Sequence, residues 1–293
     1  MRELEDFNVI LTEIPLSGRI AGQDRDQDAL LFGQPCPLHK TDAHLSHHRL
    51  NQQASQHYHG RFRGPMTMKL GVLLSGGKDS LFACYRAMQH EEVACFITVI
   101  SRNEESYMFH TPNIHLAALQ AEAAGIPLVS VETPGEKEAE LADLRHAIER
   151  ARERYAIEGI VTGAILSVYQ ASRIQRICSD LDLWCFNPLW HADQENYMRE
   201  VLKSGFRVLI SGVFSYPFDE SWLGRELDEQ ALRELSEIAR KYRVTLTGEG
   251  GELETLVIDA PFFTHRIEIE DAETEYRNYR GVYRVREARL GAK

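Results

Sequence analysis

No two cysteines in this 293-residue sequence are spaced as C-x-x-C, and none joins a histidine at a zinc-ligand spacing. The five present, Cys36, Cys84, Cys95, Cys178 and Cys185, are odd in number and widely scattered. Neither a disulfide framework nor a structural metal is expected, and the pattern suits a reducing compartment. Long hydrophobic runs are missing too. No apolar stretch reaches the roughly 20 residues that a membrane helix needs, and the acidic start, Met1 to Asp6, leads into none. Positive charge is in short supply: 33 Lys and Arg against 44 Asp and Glu leave a net charge of -11. Long-range attraction to tRNA or DNA is therefore not expected, although a local basic groove stays open. These absences describe a soluble cytoplasmic protein with no membrane partner, long enough for two domains without staples.

Residues 1–67 differ from the rest. They are rich in Gln and His between His39 and His59, carry scattered Gly and Pro, and show no sustained periodicity. We read them as a disordered extension or, because Met66 and Met68 directly precede the first strand, as the product of a mis-called start. Six of the twelve histidines lie here, including His44, His47 and His48, but no Cys or carboxylate is placed to complete a metal site. A solvated tail is the simpler reading.

From residue 69 short apolar runs alternate with helical spacing. Strands are expected at 70–74, 93–100, 128–131 and 159–162, with helices at 81–88, 114–124 and 136–155. This alternation predicts an α/β domain with a parallel sheet over 68–186, whose ligands bind beyond the carboxyl ends of the strands. Over 187–293 the texture changes to helices near 194–203 and 230–242 and β-like runs at 207–213, 244–247, 255–258, 265–269 and 281–288. A smaller α+β domain for substrate binding, packed over the nucleotide edge, is expected there.

Three segments carry chemistry. Ser75-Gly76-Gly77-Lys78-Asp79-Ser80 joins a buried strand to a helix start, where backbone N–H groups and the helix dipole favour an anion. Two glycines allow close approach to phosphate. Ser75 and Ser80 add hydroxyls, Lys78 a mobile positive charge, and Asp79 an oxygen ligand for Mg2+. The Walker A spacing is missing, and a plain Gly-Gly turn with a capping side chain is the competing reading. The second segment, Gly163-Ala164-Ile165 with Ser167, Tyr169, Gln170 and Arg173, follows a strand and can lie against adenine, ribose or α-phosphate. Its bland reading is a helix start with a solvent-facing Arg. The third, Gly248-Glu249-Gly250-Gly251-Glu252-Leu253-Glu254-Thr255, holds three carboxylates within six residues. A metal ion, an ammonium ion or a basic partner would offset their repulsion, unless the turn is simply a solvated hairpin. Strand alternation starting at Glu252 would put Glu252 and Glu254 on one face.

The loop at 75–80 resembles the S-G-G-x-D-S loop of the N-type ATP pyrophosphatases, or PP-loop enzymes, whose fold is that of the adenine nucleotide alpha hydrolases. With Ser106-Tyr107-Met108-Phe109-His110, Trp222-Leu223-Gly224-Arg225 and the G-E-G-G-E-x-E-T segment, the chain from about residue 68 is similar to the diphthine-ammonia ligases within that group. The resemblance implies that ATP is cleaved between its α and β phosphates and that the diphthine carboxylate on translation elongation factor 2 is adenylated. Ammonium then displaces AMP to give diphthamide. It implies ATP and Mg2+ as cofactors, with Ser75, Gly76, Gly77, Lys78, Asp79, Ser80, Gly163, Ala164 and Arg173 at the nucleotide. His110, Tyr169, Gln170, Trp222, Arg225 and Glu249 fall to the substrate, and Lys78, Asp79, Glu252 and Glu254 to catalysis. No Cys-His glutaminase pattern is present, so free ammonium is the expected nitrogen donor. A PP-loop ligase acting on a tRNA base or a cobalamin-related amide, and a non-catalytic adenine-nucleotide module, remain alternatives. Homo-oligomerisation stays open.

Overall fold

The computed structural model describes residues 67–102, 112–135 and 137–293. The extension read at 1–67 lies almost wholly outside that range. The first half is a run of strands and helices in alternation: β1 Lys69–Leu73, α1 Lys78–Ala87, β2 Glu92–Ser101, α2 Ala117–Ala124, β3 Leu128–Thr133, α3 Lys137–Tyr155, β4 Gly159–Val161, α4 Val168–Asp180 and β5 Trp184–Phe186. All four strand pairings are parallel, in the order β3-β2-β1-β4-β5. Such strands are buried on both faces, which is why they read as continuous apolar runs instead of alternating ones. Ile97, Ile148, Ile160 and Ile177 fill one face beneath α3 and α4.

The order reverses at β1, so the connection after β1 leaves toward one side and the connection after β4 toward the other. A crevice opens between those two loops at the carboxyl ends of the strands, the place where open α/β sheets take ligands. It lies between the segments 74–77 and 162–167.

The second half contributes α5 Gln194–Lys203, β6 Arg207–Val213, α6 Glu229–Tyr242, β7 Leu253–Asp259, β8 His265–Arg277 and β9 Arg280–Ala292. The strands form an antiparallel sheet in the order β7-β6-β9-β8. Local chemistry sets the helix ends. Asp193 caps α5 by accepting from Asn196 N–H, and Asp228 caps α6 by accepting from Ala231 N–H. One apolar core runs without interruption from Leu70, Phe82 and Val161 to Tyr197, Phe206, Leu256 and Val285, so the second sheet packs directly on α1 and α2. Among the described residues no helix is long and apolar enough to cross a membrane.

The run at 244–247 is not a strand, contrary to its β-like sequence. Its backbone groups are taken by side chains instead. Gln194 Oε1 accepts from Leu246 N–H at 2.9 Å, Glu252 accepts from Thr245 N–H at 2.8 Å, and Thr247 carbonyl accepts from Lys78. With those donors and acceptors occupied, a ladder partner has little to bind.

Candidate functional site

Gly77 precedes helix α1 at its N-cap and has no side chain with which to cap the first turn. Gly76 adopts φ +83°, a left-handed conformation that glycine accepts without strain. Its carbonyl is turned inward, where it accepts from Val257 N–H at 3.0 Å and from Gln120 Nε2 at 2.9 Å. Gln120 is fully buried and donates a second bond to Val257 carbonyl at 2.8 Å. Lys78 N–H goes to Thr255 Oγ1 at 3.1 Å. Strand β7 thus backs the phosphate loop along its inner side. Ser80 Oγ lies 3.3 Å from Ser75 N–H and 3.1 Å from Ser75 Oγ, bracing the loop from within, while Ser75 itself stays exposed.

Lys78 is not the mobile charge expected of it. Its side chain is 2 % exposed, with Nζ 3.0 Å from both Asp79 carboxylate oxygens and 2.6 Å from Thr247 carbonyl. A buried ammonium is tolerable because these acceptors replace its water. Asp79 keeps 32 % side-chain exposure and also accepts from Tyr197 Oη at 2.6 Å. Tyr197 has its hydroxyl pKa held well above the ordinary phenol range, first by burial and then by the charge of Asp79, so it is a neutral donor.

Gly163 brings the second loop against the first. A Cβ there would stand 2.6 Å from the backbone of Asp79 and Ser80, so only glycine permits this approach. Ala164 and Ile165 are buried behind it. Ser167 caps α4 by accepting from Gln170 N–H, and Gln170 points its side chain to solvent. Arg173 does not reach solvent freely: its guanidinium lies 3.3 Å over the Tyr169 ring and donates to Tyr169 carbonyl.

The three carboxylates of the glycine-rich turn part company. Glu249 reaches across to the loop after β4, where Ile165 N–H donates to it at 2.9 Å. Burial raises its carboxyl above the usual range, Ile165 N–H pulls it back, and the charge of Asp79 raises it again. Glu254 lies partly buried on β7 opposite Gly212, with its pKa pushed up to about 7 by burial; Lys78 lowers it and Asp79 raises it. Glu252 instead precedes the strand and folds back, both oxygens bonded to Thr245 at 2.8 Å. The glycines serve the turn itself. A Cβ on Gly250 would collide with the Glu252 carboxylate at 2.5 Å, and one on Gly248 with Leu253 carbonyl at 2.6 Å.

The structure therefore brings Lys78, Asp79, Gly163, Glu249 and Glu254 together and leaves Glu252 as a brace. Trp222 is 5 % exposed and packs edge-on against Phe218, while Arg225 lies over Trp222 and bonds to Glu234. Both belong to the segment beside β6 and α6. His110 lies outside the described residues.

Profiles of known families cover most of the chain: the diphthamide synthase N-terminal domain matches residues 68–184 and the diphthamide synthase C-terminal domain residues 193–290. The chain belongs to the diphthamide synthase family. Among similar proteins, the diphthine-ammonia ligase of Homo sapiens is 34 % identical over 230 residues, covering 70 % of this chain and 84 % of that protein. The diphthine-ammonia ligase of Danio rerio is 32 % identical over 232 residues, covering 71 % and 88 %. That of Saccharomyces cerevisiae, 30 % identical over 234 residues, is a longer protein of which this chain spans 34 %.

Three residues around this family member's loops carry no signal in the sequence motifs: Gln120, Gln194 and Tyr197. Each acts across a large sequence separation, 118 positions for Tyr197 and Asp79 and 137 for Gln120 and Val257. A glutamine in an Ala-rich helical run, as at Gln120, is the one signal visible in the sequence.

Proposed function

We propose that this chain is an ATP-dependent diphthine-ammonia ligase, adenylating the diphthine carboxylate of translation elongation factor 2 and replacing AMP by ammonia. One observation supports the reading most: in a chain of this family, Glu249 of the glycine-rich turn accepts from Ile165 N–H across the crevice, and Glu254 of β7 lies within the field of the Lys78-Asp79 pair of the phosphate loop. A nucleotide site and a proton-accepting site then share one cleft.

The acceptor carboxylate oxygen attacks the α-phosphorus of ATP and pyrophosphate leaves, turning a poor electrophile into an acyl-adenylate. Gly76 and Gly77 let the backbone approach the phosphates, and the buried Lys78 holds Asp79 at the loop's edge. Ammonia then attacks the acyl carbon, the bond to AMP breaks, and the amide forms. Ammonium must first lose a proton, and Glu254, with its pKa near neutrality, is suited to take it. Asp79 is the residue that would hold Mg2+. A single, partly exposed carboxylate beside a phosphate loop fits this ion, which takes one or two carboxylates together with substrate phosphates. When bound, Mg2+ neutralises charge on the phosphates. A cytoplasmic location follows from the acceptor.

A thiolase-type reading finds less support, since it needs a reactive thiol. Cys84 and Cys95 are buried, and burial pushes both thiols up, Cys95 to about 12.

The purified chain is to be incubated with ATP, Mg2+, ammonium and diphthine-bearing elongation factor, with the acceptor read by mass spectrometry. Conversion of carboxylate to amide with stoichiometric AMP and pyrophosphate is expected, and Asp79→Ala should abolish pyrophosphate release. Turnover of ATP without acceptor amidation would sink the assignment.

A further inference from the structure

A carboxylate at the start of a helix can rotate about its side-chain torsions unless something orients it. Asp79 is held on two sides, by the buried ammonium of Lys78 and by the hydroxyl of Tyr197, which comes from α5 on the other half of the chain. We propose that Tyr197 is a positioning residue that aims the Asp79 carboxylate at the divalent cation accompanying the nucleotide, an inference that rests on the ligase reading above.

Three features carry it. The Tyr197 hydroxyl donates at 2.6 Å, a short distance typical of a bond to an ionised oxygen. Its ring is locked: Tyr197 is 3 % exposed and meets Phe82 edge-to-face, with centroids 5.4 Å apart. Phe82 lies on the same helix as Asp79, three positions on, so ring and carboxylate are held by one rigid element. Finally, the donor is uncharged. A second cation in this place would neutralise Asp79 outright, whereas a neutral hydroxyl fixes its direction and leaves its charge in place. One site oxygen is thereby oriented without losing its attraction for a cation.

The test is Tyr197→Phe in the full chain, which keeps the ring against Phe82 and removes only the hydroxyl. The Mg2+ concentration giving half-maximal acceptor-dependent ATP-pyrophosphate exchange should rise about tenfold, and saturating Mg2+ should restore most of the rate. Binding of Mn2+ in the presence of a non-hydrolysable ATP analogue, read by electron paramagnetic resonance, should weaken by a similar factor. The thermal unfolding midpoint should stay at the wild-type value. Unchanged metal affinity would overturn the proposal. So would an equal loss of rate at every Mg2+ concentration together with a lower midpoint, which marks a structural role. Asp79→Asn, measured alongside, separates two kinds of failure. Wild-type metal affinity in Asp79→Asn removes the metal assignment and this inference with it, while loss in Asp79→Asn with none in Tyr197→Phe removes this inference alone.

Discussion

Glu252 and Glu254 are the same residue type two positions apart, yet one is a brace and the other faces the nucleotide loop. The distinction comes from what each carboxylate meets: Thr245 N–H and Oγ1 for Glu252, the neighbourhood of Lys78 and Asp79 for Glu254. A folded-state pKa near 7 against 4.5 means that the native chain holds a proton that the unfolded chain has released between those values. Stability therefore falls as pH rises from about 4.5 through about 7. Glu254→Gln, which cannot ionise, should exceed the metal-free wild type in stability at pH 8 by on the order of 2 kcal/mol, and the gap should close near pH 5. Urea unfolding at the two pH values checks this. The same substitution should leave acceptor-dependent ATP-pyrophosphate exchange in place while amide formation falls and loses its rise through neutral pH. Gly163 makes a different argument. Because its missing Cβ faces the backbone of Asp79 and Ser80 rather than a movable side chain, Gly163→Ala must push the two loops apart. A destabilisation on the order of 1–3 kcal/mol and a weakened ATP affinity are expected, measured by thermal unfolding and calorimetric titration.

At the scale of elements, β7 is part of the phosphate loop's support although it belongs to the other sheet. Val257 N–H and Thr255 Oγ1 of β7 supply partners to Gly76 carbonyl and Lys78 N–H, and Thr247 carbonyl, in the turn before β7, accepts from Lys78 Nζ. A fragment ending near residue 190 retains all five parallel strands but none of these partners, and it exposes the α1 and α2 faces that the second sheet covers. Such a fragment should bind ATP at least tenfold more weakly than the full chain and should expose apolar surface detectable by dye binding. Wild-type ATP affinity in the fragment would show that the loop holds its shape alone. The elements themselves were largely legible. The expected strands at 93–100, 159–162 and 207–213 correspond closely to β2, β4 and β6, and the expected helices at 136–155 and 230–242 to α3 and α6. Periodicity marks such segments because each buries one face or both against the same core. The run at 244–247 misled because β propensity reports side-chain shape, whereas its backbone is claimed by Gln194, Glu252 and Lys78.

For the whole molecule, the family profiles begin at residue 68 and the first described strand at Lys69. A chain starting at Met68 is expected to fold, to keep its unfolding midpoint and to amidate the acceptor at the full-length rate, as activity and scanning calorimetry would check. Loss of activity on that truncation would assign residues 1–67 a role that their composition does not suggest. The phosphate loop, the alternation that builds a parallel sheet and the family resemblance could all be read along the chain, because each is written in residues close together: S-G-G-K-D-S at a strand end, apolar runs followed by helical spacing. What the folded chain alone decided was the company each charged group keeps. Lys78 is buried because a turn from the second half offers it a carbonyl, and Asp79 is oriented because α5 carries Tyr197 to it. Spacing along a helix or strand tells which face a side chain occupies, while its partner across the crevice depends on how two sheets pack, and packing is a property of the whole core.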